Sequence, residues 1–176
     1  HWGEEYQSLP NREQCELADW LLKQGVTHII GSHPHVIQPM ELLTNGNQQH
    51  AIVYSLGNFI SNMSAANTDG GLIFTLQLEK YPLPKPIRPL QNHSSHSPSP
   101  ESFASSFPFA RVVRCGYTLV WTGRPTLTGE KNYILYPSYS PHSHLPQSAR
   151  NRLNIFIKNT RKFLVQHNTE IYENNK

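Results

Sequence analysis

The spacing of apolar residues predicts helices that alternate with short strands. Apolar positions recur at helical spacing after Asn11, which with Gln14 resembles a capping box, and Gly25 ends that helix. A second helical stripe runs from Leu153 to Leu164, with basic residues outside it. β-Branched or alternating runs predict strands at 26–30, 36–43, 50–55, 72–78, 111–121 and 132–136, the first of them buried.

Turn and linker signals organise these elements. Asn45-Gly46, between two strand runs, is a strong local sign of a β-hairpin. Residues 82–110 hold seven prolines and seven serines without any period, which predicts a disordered insertion. We therefore expect one α/β domain, a sandwich with a mixed sheet, made of segment 1–81, the insertion 82–110, and segment 111–176.

Charge is distributed unevenly along the 176 residues. Positions 1–110 carry five Lys or Arg and nine Asp or Glu, whereas positions 111–176 carry ten and three. The basic part predicts either attraction for an anionic polymer or phosphate, or only a solvated helix face. No nucleic-acid module is recognisable, and no apolar run is long enough to cross a membrane.

Several reaction classes lack their motifs. Ser55 and Ser61 are outside any G-x-S-x-G elbow, and there is no glycine-rich phosphate loop. Cys15 and Cys115 have no neighbouring cysteine for a disulfide framework or a zinc knuckle, and Cys15 is predicted to be a core residue. These absences leave the histidines as the main candidates for chemistry.

Two imidazoles flank a proline in His33-Pro34-His35. Proline disfavours the helical region for the residue before it, so His33 is predicted to be extended, with both rings on one side. Together with His1, the pair can hold a divalent metal with an open position for water. The alternative is a turn with two surface histidines.

Other polar residues gather near this motif. Glu5 has two candidate functional roles, as a carboxylate beside the metal or as a proton-transfer group. The alternative is that Glu5 is an exposed acid in a loop. Ser55 and Asn58 lie in a turn at a strand end and either line a pocket or cap the turn. Three further histidines lie within predicted elements and are interpreted as structural: His28, His50 and His167.

Three motif blocks carry a family resemblance. They are His1-Trp2-Gly3 with Glu5-Tyr6; Gly31-Ser32-His33-Pro34-His35-Val36 with Gln38 and Glu41; and Tyr54-Ser55-Leu56-Gly57-Asn58-Phe59. In order and spacing they resemble the CapA family of bacterial capsule or poly-γ-glutamate synthesis proteins. That family is part of the calcineurin-like metallophosphoesterase superfamily.

The resemblance implies a two-sheet sandwich flanked by helices, of which this chain is the C-terminal part. It implies two divalent metals (Mn, Fe or Zn), with His1, His33 and His35 as ligands. From the residues themselves, we predict His33 and Glu5 as catalytic residues and Ser55 and Asn58 as contacts of the substrate. The implied function is a metal-dependent hydrolase or transferase acting on an anionic polymer. A metal-dependent phosphoesterase and a non-catalytic capsule assembly or export component are the alternatives, and the cell envelope is the implied location.

The chain departs from that family in one respect. The upstream motifs that supply the aspartate, glutamate and asparagine–histidine ligands are not in it, and no later residue replaces them. We therefore expect 1–176 to be a fragment or half of a complex, inactive alone, whose partner is the missing N-terminal half. That half would also leave an exposed sheet edge here.

Overall fold

The computed structural model describes residues 1–63, 65–80 and 110–174. It confirms the predicted α/β class, with two mixed sheets flanked by helices. All but the last residue of the predicted insertion 82–110 lies outside the described residues, so its disorder stays a prediction. The elements are α1 (Arg12–Lys23), β1 (His28–Ile30), β2 (Met40–Asn45), β3 (Gln48–Val53), β4 (Gly70–Lys80), β5 (Ala110–Gly123), α2 (Pro125–Thr128), β6 (Ile134–Pro137), α3 (Gln147–His167) and β7 (Tyr172–Glu173).

The first sheet has the order β1-β3-β2, with β1 parallel and β2 antiparallel to β3. The predicted hairpin is confirmed: Asn45 pairs with Gln48, and Gly46 adopts the positive φ of 59° that this tight turn needs. The strand predicted at 26–30 forms at its end, but only Ile29 is buried, because β1 has just one neighbour among the described strands. β1 is thus an edge strand.

Helix α1 covers one face of the first sheet. Its capping box is complete, since Asn11 accepts from the Gln14 amide and the Gln14 side chain accepts from Asn11. Ala18 packs with Ile29, while Cys15 is exposed. The prediction of Cys15 as a core residue was wrong, because the buried face of the helix passes through Gln14 and Ala18.

The second sheet is built on the long antiparallel pair β4–β5, with β6 and β7 along the other edge of β5. Burial decreases along β4 from its beginning to its end: Leu72 is buried, whereas Leu78 is 49% exposed. The predicted apolar alternation is therefore present along β4, but full burial is limited to the first part of the strand.

The chain after β3 joins the two sheets. Gly57 forms a bridge with Gly71, and the Leu72 amide donates to the Leu56 carbonyl. The other face of the first sheet then shares one core with the second sheet and α3. Within the described ranges, no helix has both the length and the apolarity to cross a membrane.

Candidate metal centre

The histidine loop is not extended, so that prediction was wrong. His33 has φ 111° and His35 has φ 61°. The proline rule disfavours only the right-handed helical region, and contacts with the N-terminal segment hold the loop in this other geometry: the Trp2 amide donates to the Ser32 carbonyl, and the Tyr6 amide donates to the Pro34 carbonyl. The two imidazoles nevertheless remain neighbours, with ring centroids 6.0 Å apart.

Close packing around Gly31 places the N-terminal segment beside this loop. The Trp2 indole donates to the Tyr54 carbonyl at 2.8 Å. A Cβ on Gly31 would lie 2.3 Å from both the Trp2 Nε1 and the Tyr54 oxygen. Only glycine leaves room for the indole, and the indole in turn anchors the chain that carries His1 and Glu5.

Three side chains converge on one point. Glu5, His33 and His35 each offer a ligand atom, and these atoms all lie within 4.8 Å of one another. The His35 Nε2 is 3.8 Å from the Glu5 carboxylate. His1 lies beside the group, with its ring centroid 4.2 Å from that of His33. Two imidazoles and one carboxylate are a common donor set for catalytic metals, so these residues fit a divalent ion.

Asn58 determines which nitrogen of His35 faces the cluster. The Asn58 amide donates to the Thr68 carbonyl at 2.9 Å, so its oxygen is turned toward His35 Nδ1, 3.0 Å away. That oxygen can only accept, so Nδ1 carries the proton in neutral His35. Nε2, on the Glu5 side, keeps the lone pair that a metal requires. Asn58 itself is buried, and a contact of Asn58 with substrate stays a prediction.

Two further residues support the cluster, Tyr6 and Gln38; the sequence placed both in the motif blocks but indicated no role for either. The Tyr6 ring stacks on His35 at 6.2 Å, and desolvation together with the Glu5 carboxylate raises the Tyr6 pKa. Gln38 is fully buried, accepts from Gln14, and donates to the Gln7 and Leu9 carbonyls. The sequence placed Gln14 in a capping box and Gln38 in a motif block, but no local pattern linked the two.

Ser55 is not brought into the cluster. Its side chain is fully buried, and its hydroxyl accepts from the Gly57 amide at 3.2 Å. This contact caps the turn that joins the two sheets, which is the structural alternative considered for this residue. A contact of Ser55 with substrate stays a prediction.

The histidines interpreted as structural have structural contacts. His28 Nδ1 accepts from the Ala51 amide, and His50 bonds to the Thr27 carbonyl. Burial, followed by the proximity of His50, lowers the pKa of His28. The His167 ring packs against Phe163, with the ring centroids 4.7 Å apart and the planes tilted by 43°.

Comparisons with known proteins concern the same part of the chain. The family model described as bacterial capsule synthesis protein PGA_cap matches residues 1–63. The PGA biosynthesis protein CapA of Bacillus subtilis (strain 168) is 39% identical over 80 residues, which are 46% of this chain and 20% of the relative. The capsule biosynthesis protein CapA of Bacillus anthracis is 39% identical over 74 residues, 42% of this chain and 17% of the relative. No solved structure matches the chain.

The matched segment spans about a fifth of the length of these relatives. It nevertheless contains every residue of the cluster and of its supports: Glu5, His33, His35 and Asn58 all lie within 1–63. Through this segment, the chain is similar to the CapA proteins of bacterial capsule synthesis.

Proposed function

We propose that the cluster is part of a divalent-metal centre in a protein that hydrolyses or transfers segments of an anionic capsule polymer. The observation that carries the proposal is the convergence of Glu5, His33 and His35, whose ligand atoms lie within 4.8 Å of one another. The matched relatives are named for capsule and PGA biosynthesis, which supports a polymer of carboxylates as the substrate.

The side chains have distinct tasks in this proposal. His33 and His35 would bind the metal through neutral nitrogens, and the Asn58 oxygen keeps the His35 Nε2 available. Glu5 is 48% exposed, so its carboxylate can either complete the donor set or exchange a proton with substrate. A bound divalent ion would supply Lewis-acid polarisation of substrate or water.

One ion is what these donors can hold. Within residues 1–63, 65–80 and 110–174, no second group of three such side chains converges. The second metal that the family resemblance implies would therefore need ligands from outside this part of the chain. His1, whose ring packs on His33, is an additional candidate donor within this part of the chain.

The test is calorimetric titration of the chain with Zn²⁺ or Mn²⁺ alone. We expect His33→Ala and His35→Ala each to weaken affinity at least tenfold, because each removes one of three donors. His167→Ala also removes an imidazole, but one that packs against Phe163, and should leave affinity unchanged. Equal affinity in the His33 and His35 variants would refute the metal centre.

Two more variants separate the roles within the cluster. Glu5→Gln should weaken metal affinity if the carboxylate is a ligand, and should leave it unchanged if Glu5 only moves protons. His1→Ala tests the imidazole that packs on His33 in the same way. Both changes are at accessible positions, so folding should be preserved.

The phosphoesterase alternative uses the same donors, so metal affinity does not distinguish it. Turnover of γ-linked glutamate polymer against a phosphodiester, measured with the whole protein, decides between them. Preference for the phosphodiester would overturn the polymer substrate while retaining the metal centre.

A further inference from the structure

A second polar feature lies far along the chain from the histidine cluster. The loop after β6 and one face of α3 enclose a cleft of about 610 Å³, within the usual range for ligand sites. Arg150, Lys158 and Arg161 line it together with serines of the loop, and the buried Leu153 and Ile157 contribute apolar surface. No acidic residue lines it.

The cations of the cleft differ in how far they are neutralised. Arg161 donates two hydrogen bonds to Glu173, at 2.6 and 2.8 Å. Arg150 donates only to the neutral Gln147, and its buried Nε has no acceptor among the described residues. Lys158 is exposed and forms no ion pair within the described ranges. Two uncompensated positive charges therefore border the cleft.

The spacing of these charges favours an extended anion. Arg150 and Lys158 are eight residues apart on α3, which corresponds to about 12 Å along the helix axis. This spacing lets the two side chains contact separate anionic groups of one extended ligand. The apolar side chains of Leu153 and Ile157 lie between them in sequence and offer contact to methylene groups. Carboxylates joined by short aliphatic linkers match this pattern better than phosphates joined by sugars.

We infer that this cleft binds a segment of a polycarboxylate chain, with Arg150 and Lys158 pairing with successive carboxylates. For the identity of the ligand, the inference rests on the function proposed above, because γ-linked glutamate supplies carboxylates separated by methylene groups. The cleft would hold the polymer, whereas the histidine cluster would act on it.

The test measures binding of a γ-linked glutamate oligomer to the chain at fixed, near-physiological salt. The variant Arg150→Gln/Lys158→Gln should lose at least tenfold in affinity. Lys162→Gln is the matched control, because it removes one charge from the same helix outside the cleft and should change affinity less than twofold. Lys158→Gln alone, at an exposed position, serves if the double variant fails to fold.

Three results would overturn the inference: no oligomer binding by the wild type, an equal loss in Lys162→Gln, or tighter binding of inorganic polyphosphate than of the oligomer. Equal binding of an α-linked glutamate oligomer would support the polycarboxylate class. Zn²⁺ titration of the same variants distinguishes failure of the proposed metal centre from failure of the proposed polymer-binding cleft. Unchanged metal affinity with no oligomer binding refutes the cleft alone, and lost oligomer binding only in His33→Ala moves the polymer site to the cluster.

Discussion

The histidine cluster and the α3 cleft bring charge and polarity together in opposite ways. The cluster draws on separate chain segments, and positive φ occurs at two of its residues, His33 and His35, and at Tyr6, which stacks on His35. The cleft takes its cations from one regular helix. Metal coordination requires donor atoms at fixed distances. Backbone strain is therefore tolerated in the cluster, where contacts with neighbouring segments hold the strained conformation in place. Attraction of a flexible polyanion requires only charge of the right sign. The cluster should therefore respond to changes in packing, and the cleft to changes in charge.

The largest expected effect is at Gly31. Gly31→Ala places a methyl against the Trp2 indole and the Tyr54 carbonyl, which should cost about 3 kcal/mol and displace the segment that carries Glu5. Chemical denaturation and Zn²⁺ titration measure both effects. Gly25→Ala is the control: it has a positive φ of 93° but open space, so it should cost about 1 kcal/mol and leave metal affinity intact. Equal effects of the two would contradict the packing argument.

The second effect is in the C-terminal region. Asp69 is buried and accepts from the Trp121 indole at 3.2 Å and from Arg152 at 2.8 Å. Asp69→Ala should destabilise the fold by about 2 kcal/mol. The buried Trp121 indole would lose its acceptor, and the half-exposed Arg152 would lose the partner of its ion pair. Asp69→Asn retains an acceptor for Trp121 and should cost less. Thermal denaturation checks the order, and metal affinity should not change in either variant.

The third effect is at Asn58, whose oxygen fixes the position of the proton on His35. Asn58→Leu removes the acceptor of His35 Nδ1 and should weaken metal affinity by about tenfold or more. Asn58→Asp retains an acceptor and should bind metal more tightly than the leucine variant. Nitrogen chemical shifts of His35 report its tautomer directly. An unchanged tautomer in Asn58→Leu would contradict the assigned role.

His33 should show a trade between stability and binding. At φ 111°, His33→Gly relieves backbone strain and should raise the free energy of unfolding by about 1 kcal/mol while it weakens metal affinity. His33→Ala lacks the metal donor too but keeps the strain, so it should not be stabilised. Denaturant midpoints of the two variants separate the contribution of the backbone from that of the imidazole.

The smallest expected effect is at Glu173. Burial alone raises its pKa, but hydrogen bonds from Arg161 and Ser138 outweigh this, so the pKa is lower than usual. The stabilisation is therefore complete above the ordinary value of 4.5 and is lost as the pH falls through the lower folded value. Glu173→Gln should cost about 1 kcal/mol at neutral pH and abolish this acid dependence. It also frees Arg161, so oligomer affinity at the cleft should rise severalfold.

The ion pairs also change how the basic C-terminal residues are interpreted. From the sequence, the basic residues of 111–176 were interpreted either as a polymer-binding surface or as a solvated helix face. In the structure, Arg152 forms an ion pair with Asp69, which is distant along the chain, and Arg161 forms one with Glu173 on β7. Such pairing depends on the docking of α3 against the second sheet, which no local pattern encodes.

Local physics sufficed for much of the fold. The capping box at Asn11, the turn at Gly46 and the helical stripe of α3 were predicted because each depends on neighbouring residues. The prediction for Cys15 failed because contact with the sheet, which the local pattern does not encode, centres the buried face of α1 on Gln14 and Ala18 and leaves Cys15 exposed.

For the candidate site, the sequence by itself determined which residue types are available and that His33 and His35 are neighbours. Tertiary structure decided their backbone conformation, the approach of Glu5, and the proton position on His35, because each follows from contacts between segments far apart in the chain. The physical reason is that coordination depends on distances of a few ångströms, and those are set by packing around Gly31 and behind Asn58 rather than by local preference.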